Sequence, residues 1–294
     1  PDPACADPTM TEATMIQATK ILDWDDAYTN GAYIADGAAY PEKWAKLAEA
    51  FRAEMLAAGR AELDLRYGPE ARATLDLFHP TGPAAEKPRG LGIFVHGGYW
   101  MLFDKSSWSH LAAGALARGW AVCLPSYTLA PEARISEITR QVAAAIRFAS
   151  ERVAGPLRLA GHSAGGHLVT RMVCADSPLP EEVSGRIGHV VSISGVHDLR
   201  PLLRTKMNAT LRMDEAEAAA ESPALLRPME GCSVTCWVGS AERPEFLRQN
   251  DLLANIWTGL GTDMRCVHAE GRHHFDVVEE LADRASNLTE AFVE

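Results

Sequence analysis

The sequence predicts an α/β protein: a mostly parallel, doubly wound sheet with an antiparallel amino-terminal edge and a small helical cap insertion. Three observations carry this. From about residue 88 onward, short apolar runs alternate with helical patterns, the rhythm of repeated strand–crossover–strand units. Most of these runs are near-continuous rather than alternating, as strands covered on both faces must be. Ahead of them, two segments alternate apolar and polar residues with period two, as half-exposed antiparallel strands do.

The elements follow in order. Residues 1–15 are set aside as a tail, disordered or artificial, with Met10 or Met15 as plausible natural starts. The remainder, 16–294, is expected to be a single domain. The opening stretch "PDPACADPTMTEATMIQATK" has no apolar core preceded by basic residues, so no secretory signal is expected. "YPEKWAKLAEAFRAEMLAAG" (40–59) reads as an amphipathic helix ended by Gly59. "AELDLRYG" and "ATLDLFHP" supply the antiparallel pair at one sheet edge. The parallel strands are expected at 91–97, 120–127, 156–163, 189–195, 234–240 and 264–270, with helices at 108–118, 135–152, 165–174 and 246–260. The stretch 199–229 interrupts this alternation with helical composition and is expected to form the cap over the sheet's carboxyl edge.

Composition bounds the function. The 28 basic and 39 acidic side chains leave a net charge of −11, which argues against a nucleic-acid surface or an anionic membrane as partner. No apolar stretch is long enough to span a bilayer. Six cysteines are scattered, two of them (Cys123 and Cys174) inside apolar runs where a thiol behaves as a small hydrophobe. Cys232 and Cys236 would share a strand face, without a second pair to complete a metal site. A reduced, cytoplasmic protein is the plain reading. The partner is expected to be a small molecule, and a homodimer is left open.

In open parallel sheets, reactive groups gather where strands end. "GHSAGG" (161–166) follows a strand and opens a helix. A Gly-x-Ser-x-Gly turn of this kind projects the Ser163 hydroxyl from a tight, strained corner as a nucleophile. A glycine-rich turn can also be purely structural, so the pentapeptide is read together with its context. "HGGYW" (96–100) ends another strand, and the amides of Gly97 and Gly98, with that of Ala164, suit a developing oxyanion. His96 reads as a hydrogen-bonded structural histidine. Serine needs a base titrating near neutrality. "GRHHF" (271–275) offers His273 and His274, of which at most one can point inward, while His268 within its strand reads as packing. The base needs an acid to fix its tautomer. "GSAERPEF" offers Glu242 two residues past a strand end, and Glu245 in the first turn of a helix, where an acidic residue is favoured for its own sake. Glu242 is therefore preferred, with Asp198 after the preceding strand as the alternative and Asp251 read as solvated.

At this point the chain resembles a known family. From about residue 60 to 294 it looks like the α/β-hydrolase fold, and "HGGYW", "SYTLAPE", "GHSAGGHL", "SISGVHDLRPL", "ESPALL", "ERPEFLRQN" and "HHFDVVEEL" match, in order, its esterase and arylformamidase (kynurenine formamidase) branch. The "HGG" and "Y-x-L-A-P-E" motifs also resemble hormone-sensitive-lipase-like esterases. The resemblance implies a serine hydrolase without metal or other cofactor. It puts the acid on Glu242, where formamidases of this kind carry aspartate, and the base on His274, directly before the phenylalanine.

The expected reaction is cleavage of small carboxylic esters or aryl formamides through an acyl-enzyme. Ser163, Glu242 and His274 are the triad, Gly97, Gly98 and Ala164 the oxyanion hole, and Tyr99, Trp100 and Phe275 the pocket wall. The rival readings are a catalytically silent binding protein on the same fold and a lyase using the same triad.

Overall fold

The computed structural model describes residues 20, 21 and 23–294; the expected tail, residues 1–15, lies outside the described residues. Eight strands form one sheet: β1 (Ala61–Arg66), β2 (Thr74–Phe78), β3 (Leu91–Val95), β4 (Ala121–Pro125), β5 (Leu157–His162), β6 (Ile187–Ile193), β7 (Ser233–Gly239) and β8 (Asp263–Ala269). Their spatial order is β1-β2-β4-β3-β5-β6-β7-β8. β1 pairs with β2, and β2 with β4, antiparallel; every later pairing is parallel. This is the architecture expected from the alternation of apolar runs and helical patterns, antiparallel edge included.

Burial on both faces explains the near-continuous apolar runs. β3 and β4 are buried at every position, whereas β1 at the edge is nowhere fully buried. The pleat sends successive residues to opposite sides. Ile93, Cys123, Leu159, Val190 and Cys236 enter one core cluster, and their chain neighbours Phe94, Val122, Ala160, Val191 and Trp237 enter the other. Helices α2 (Ile135–Ser150), α3 (Ala164–Arg171) and α4 (Pro244–Gly259) cover the first face with Ile138, Leu168 and Trp257. Helices α1 (Tyr40–Ala57) and α5 (Asn287–Val293) cover the second with Trp44 and Phe292. In α2 the buried Ile135, Ile138, Val142, Ile146 and Ala149 recur at the three-and-four spacing of a helix face. Among the described residues, no helix is long and apolar enough to cross a membrane.

One expected helix differs in detail. The helix expected over 108–118 begins as a tighter 3-10 turn, Ser109–Ala112, and continues as Ala113–Ala117. The segment 277–282 crowds it: a Cβ on Gly114 would stand 2.4 Å from the Leu281 carbonyl oxygen. The stretch 199–229 is built of short helical segments, 3-10 at Arg200–Arg204 and Pro223–Leu225 and α-helical at Asn208–Leu211 and Glu215–Ala220. It is pinned to the flanking helices by Glu217, which accepts from Arg134 Nε at 2.7 Å, and by Glu221, which accepts from Thr139 Oγ1 at 2.6 Å and Arg171 Nε at 3.2 Å.

The core holds an unusual load of buried histidine. Burial lowers the pKa values of His96, His110 and His189 to about 4 and those of His167 and His197 to about 3, and holds His162 well below its ordinary value. These rings are neutral when folded, whereas in the unfolded chain they protonate below about pH 6.5. Below that pH the unfolded state binds more protons, so stability is complete above it and falls as pH drops toward the folded values. Each ring contributes up to about 1.4 kcal/mol per pH unit in that window. Urea unfolding should show a clearly lower midpoint at about pH 5 than at about pH 7.5. Equal midpoints would mean that these histidines are not buried neutral.

Candidate active site

The parallel strands deliver their loops to one end of the sheet, and the chemistry is assembled there. β5 ends at His162 and α3 begins at Ala164, so Ser163 alone makes the turn, with φ 56° and ψ −116°. A non-glycine residue held there is strained, as a sharply turned strand-to-helix corner requires. The turn also needs bare backbone on either side. A Cβ on Gly161 would lie 2.1 Å from the Gly165 carbonyl oxygen, and one on Gly165 would lie 2.0 Å from that of Val95. Neither position can carry even alanine without the backbone moving.

The loop after β3 runs alongside. A Cβ on Gly97 would meet the His162 carbonyl oxygen at 2.7 Å and Ser163 Cβ at 3.0 Å, so this backbone approaches the serine as closely as glycine permits. Gly98 follows at φ 109°, and Tyr99 and Trp100 continue at φ 54° and 60°. Among the described residues no acceptor takes the amides of Gly97 or Gly98. His96 holds the loop from behind: its ring stacks on Tyr127 at 4.4 Å and its Nδ1–H donates to the Gly97 carbonyl at 2.7 Å.

The loops after β7 and β8 bring the acid and the histidine together. His274 Nδ1 lies 2.6 Å from Glu242 Oε2. The other carboxylate oxygen accepts from the Gly239 amide at 2.8 Å and from Ser194 Oγ at 2.5 Å. Both members of the pair are buried. His162 Nε2–H donates to the His274 carbonyl at 2.8 Å, which ties the histidine loop to the serine turn. No hydrogen bond joins Ser163 to His274 among the described residues; both line one cavity. Such contacts are often long before substrate binds.

The competing residues are occupied elsewhere. His273 turns away: its Nδ1 accepts from the amides of Phe275 and Asp276, and its Nε2 lies 3.2 Å from the Tyr40 hydroxyl. Asp198 grips Arg200 through both oxygens at 2.9 Å. Glu245 accepts from Tyr28 at 2.7 Å and from Arg248 at 2.7 Å through each of two nitrogens. His268, read as packing, is instead exposed on β8.

The shared cavity measures about 460 Å³ and is lined by Ser163, His162 and His274 together with apolar and aromatic side chains. Tyr99 and Phe275 line it. Trp100 does not: its left-handed backbone turns the indole into the core, 1 % exposed and edge-on to His167. In its place, Trp44 stands 4.6 Å from Trp108 and 5.3 Å from Phe275, ring centre to ring centre. Apart from the two histidines, no acidic or basic side chain is among the described lining residues. A larger groove of about 700 Å³ elsewhere is bordered by Arg272, Glu279, Glu280 and Asp283, and none of the serine-site residues lines it.

The sequence reading missed two contributions. Gly31, Ala32, Gly37, Ala38, Pro41 and Trp44 form one wall of the cavity, a role no residue of 199–229 plays. The only local signal is the run of small residues in "GAYIADGAA", where a Cβ on Gly37 would stand 2.5 Å from the Gly31 carbonyl oxygen. The second is Ser194, at φ 51° just past β6, which nothing in its own neighbourhood marks as a partner of Glu242.

The chain is similar to proteins already known. A family model described as alpha/beta hydrolase fold matches residues 92–275. The kynurenine formamidase of Danio rerio is 30% identical over 236 residues, covering 77% of this chain and 79% of that protein. That of Salmo salar is 30% identical over 238 residues, covering 78% and 79%. A crystal structure from Silicibacter sp. tm1040, provisionally described as a thioesterase, is 52% identical with a TM-score of 0.87 and covers 92% of this chain and 99% of that one.

Proposed function

This chain belongs to the α/β-hydrolase family, in the branch that joins esterases to arylformamidases, and is a hydrolase of esters or formamides; we propose that it works through a serine-bound acyl intermediate. Ser163 attacks the carbonyl carbon as His274 Nε2 takes its proton. The oxyanion is received by the amides of Gly97, Gly98 and Ala164. Glu242 holds the Nδ1 proton in place and stabilises the imidazolium. His274 then returns its proton to the leaving alcohol or amine. Water enters, gives its proton to the same nitrogen and attacks the acyl-enzyme, and Ser163 leaves as the hydroxyl.

The observation that carries this reading is the strained Ser163 turn opening into an apolar cavity shared with the Glu242-bound His274. The uncharged cavity wall suits an apolar or aromatic acyl or leaving group. A charged head group on the substrate would have to lie outside it. We read 16–294 as one domain in which 199–229 is an insertion. The free thiols of Cys123, Cys174, Cys232, Cys236 and Cys266 suit a reducing, cytoplasmic setting.

The test is kcat/KM for N-formyl-L-kynurenine, p-nitrophenyl acetate, p-nitrophenyl butyrate and a short-chain acyl thioester. Turnover of at least one class that disappears in Ser163→Ala supports the reading, and the ratio among classes assigns the leaving group. Turnover that survives the substitution overturns it. Absence of turnover together with no labelling of Ser163 by a fluorophosphonate favours the silent binding protein, and a non-hydrolytic product favours a lyase.

A further inference from the structure

The hydrolytic reading leaves unused a cluster on the sheet's last strand. Cys266 and His268 are two residues apart on β8, so their side chains leave the same face, and that face meets α4 at Asp251. His268 Nε2 lies 2.7 Å from Asp251 Oδ1, and Cys266 Sγ lies 3.4 Å from the same oxygen. The three ligand-type atoms all fall within 4.8 Å of one another, on residues open to solvent. Beneath them Asn250 is fully buried, and its Nδ2 is directed at both Cys266 Sγ, at 3.3 Å, and Asp251 Oδ1, at 3.4 Å. The thiol proton and a ring proton thus converge on one carboxylate oxygen, while a fixed amide donates to the two atoms that can carry negative charge.

We propose that Asp251, Cys266 and His268 bind a divalent transition-metal cation of the zinc class, with Asn250 as the outer hydrogen-bond donor that orients the sulfur and the carboxylate. Thiolate with imidazole selects a borderline cation over magnesium or calcium, which take oxygen ligands. Metal–ligand bonds of about 2.0–2.3 Å in a tetrahedron set ligand atoms roughly 3–4 Å apart. The 2.7 Å His268–Asp251 pair would therefore open slightly, while the three atoms stay within the 4.8 Å they already span. Binding replaces the Cys266 thiol proton, which goes to solvent. His268 coordinates through Nε2 with its remaining proton on Nδ1, Asp251 through Oδ1, and water takes the fourth position. The two anionic ligands neutralise the dication. An outer donor to the ligating atoms is the support that metal sites regularly carry. The bound ion would clamp α4, which begins just after Glu242, to β8, which ends just before the loop of His274.

The experiment is titration of cobalt(II) into the metal-stripped full-length protein. One equivalent should produce a thiolate-to-cobalt charge-transfer band with the intense visible absorption of four-coordinate cobalt. About one proton should be released per ion. Zinc should displace the cobalt and raise Tm. Cys266→Ser should abolish the charge-transfer band. His268→Ala should weaken binding by more than the 10–100-fold, roughly, that loss of an outer partner costs. Circular dichroism checks that both variants fold, and wild-type protein carries the test if either does not. No charge-transfer band at millimolar cobalt overturns the site, as does a band that survives Cys266→Ser, which would belong to another thiol.

Discussion

Replacing Ser163 by alanine is expected to lower kcat by a factor on the order of 10⁶ while leaving the protein folded. On the proposed mechanism, removing the nucleophile strands the other two groups, because His274 then has no hydroxyl to deprotonate. What remains is binding and the oxyanion amides, which by themselves are worth roughly 10³–10⁴ over water. Stability should not fall. Ser163 sits at φ 56° and ψ −116° because the turn demands it, and alanine inherits the same strain. Its hydroxyl makes no hydrogen bond among the described residues that the folded state would lose. The measurement is kcat on the best substrate of the panel, with the unfolding midpoint as control. Residual activity above about one per cent, far beyond what the surviving parts can supply, would falsify the assignment of Ser163 as nucleophile.

The second large effect is expected at the acid. Glu242→Gln preserves shape but puts an amide where Oε1 now accepts from Gly239 and Ser194 and Oε2 faces His274 Nδ1. Oε1 keeps its two donors if the amide oxygen takes that place, which turns the new NH₂ toward Nδ1. The ring proton is then driven to Nε2, the atom that must carry a lone pair to deprotonate serine. A tautomer error of this kind costs about 10⁴ in kcat. Glu242→Asp keeps the charge but withdraws the carboxylate by one methylene. It cannot hold the Gly239 amide and reach His274 together, and misplacement of that order costs roughly 10². Ser194→Ala removes one hydrogen bond to a charged group, worth about 1.5–3 kcal/mol, so roughly 10–100-fold. Glu242→Gln should therefore rank well below Glu242→Asp and Ser194→Ala in kcat, with KM little changed. A Glu242→Gln enzyme within tenfold of wild type would return the acid role to another carboxylate. The geometry leaves Asp198 poorly placed for it, since both its oxygens are held by Arg200.

The parts of the molecule legible in the sequence are those written in local pattern. Continuous apolar runs foretold β3 to β7 because burial on two faces leaves no room for a polar alternation. Period two foretold β1 and β2. Gly161 and Gly165 marked the serine turn because no other residue fits within 2.1 Å of a carbonyl oxygen. The choice of Glu242 over Glu245 also came from local logic. An acidic residue in a helix's first turn has a reason to be there already, and Glu245 does bond within its own helix, to Arg248 and Gln249.

The rest depended on which distant segments meet. Ser194 and Glu242 are 48 residues apart and touch only because β6 and β7 are neighbours in the sheet. The wall supplied by 31–44 rests on anchors no local pattern reveals, such as the Tyr99 hydroxyl donating to the Tyr28 carbonyl at 2.8 Å and the Tyr28 hydroxyl donating to Glu245. Trp100 left the pocket for the core because two successive left-handed residues reversed its direction. Asp251, Cys266 and His268 came together only once α4 was laid against the edge strand. By itself the sequence determined the sheet, the turn that presents the serine and the residue types able to do acyl transfer, since periodicity and backbone sterics act within a few residues. The tertiary structure alone decided which groups wall the cavity, which side chain steadies the acid and which ligands converge at the edge, because those contacts are made across the sheet between segments that carry no mark of one another.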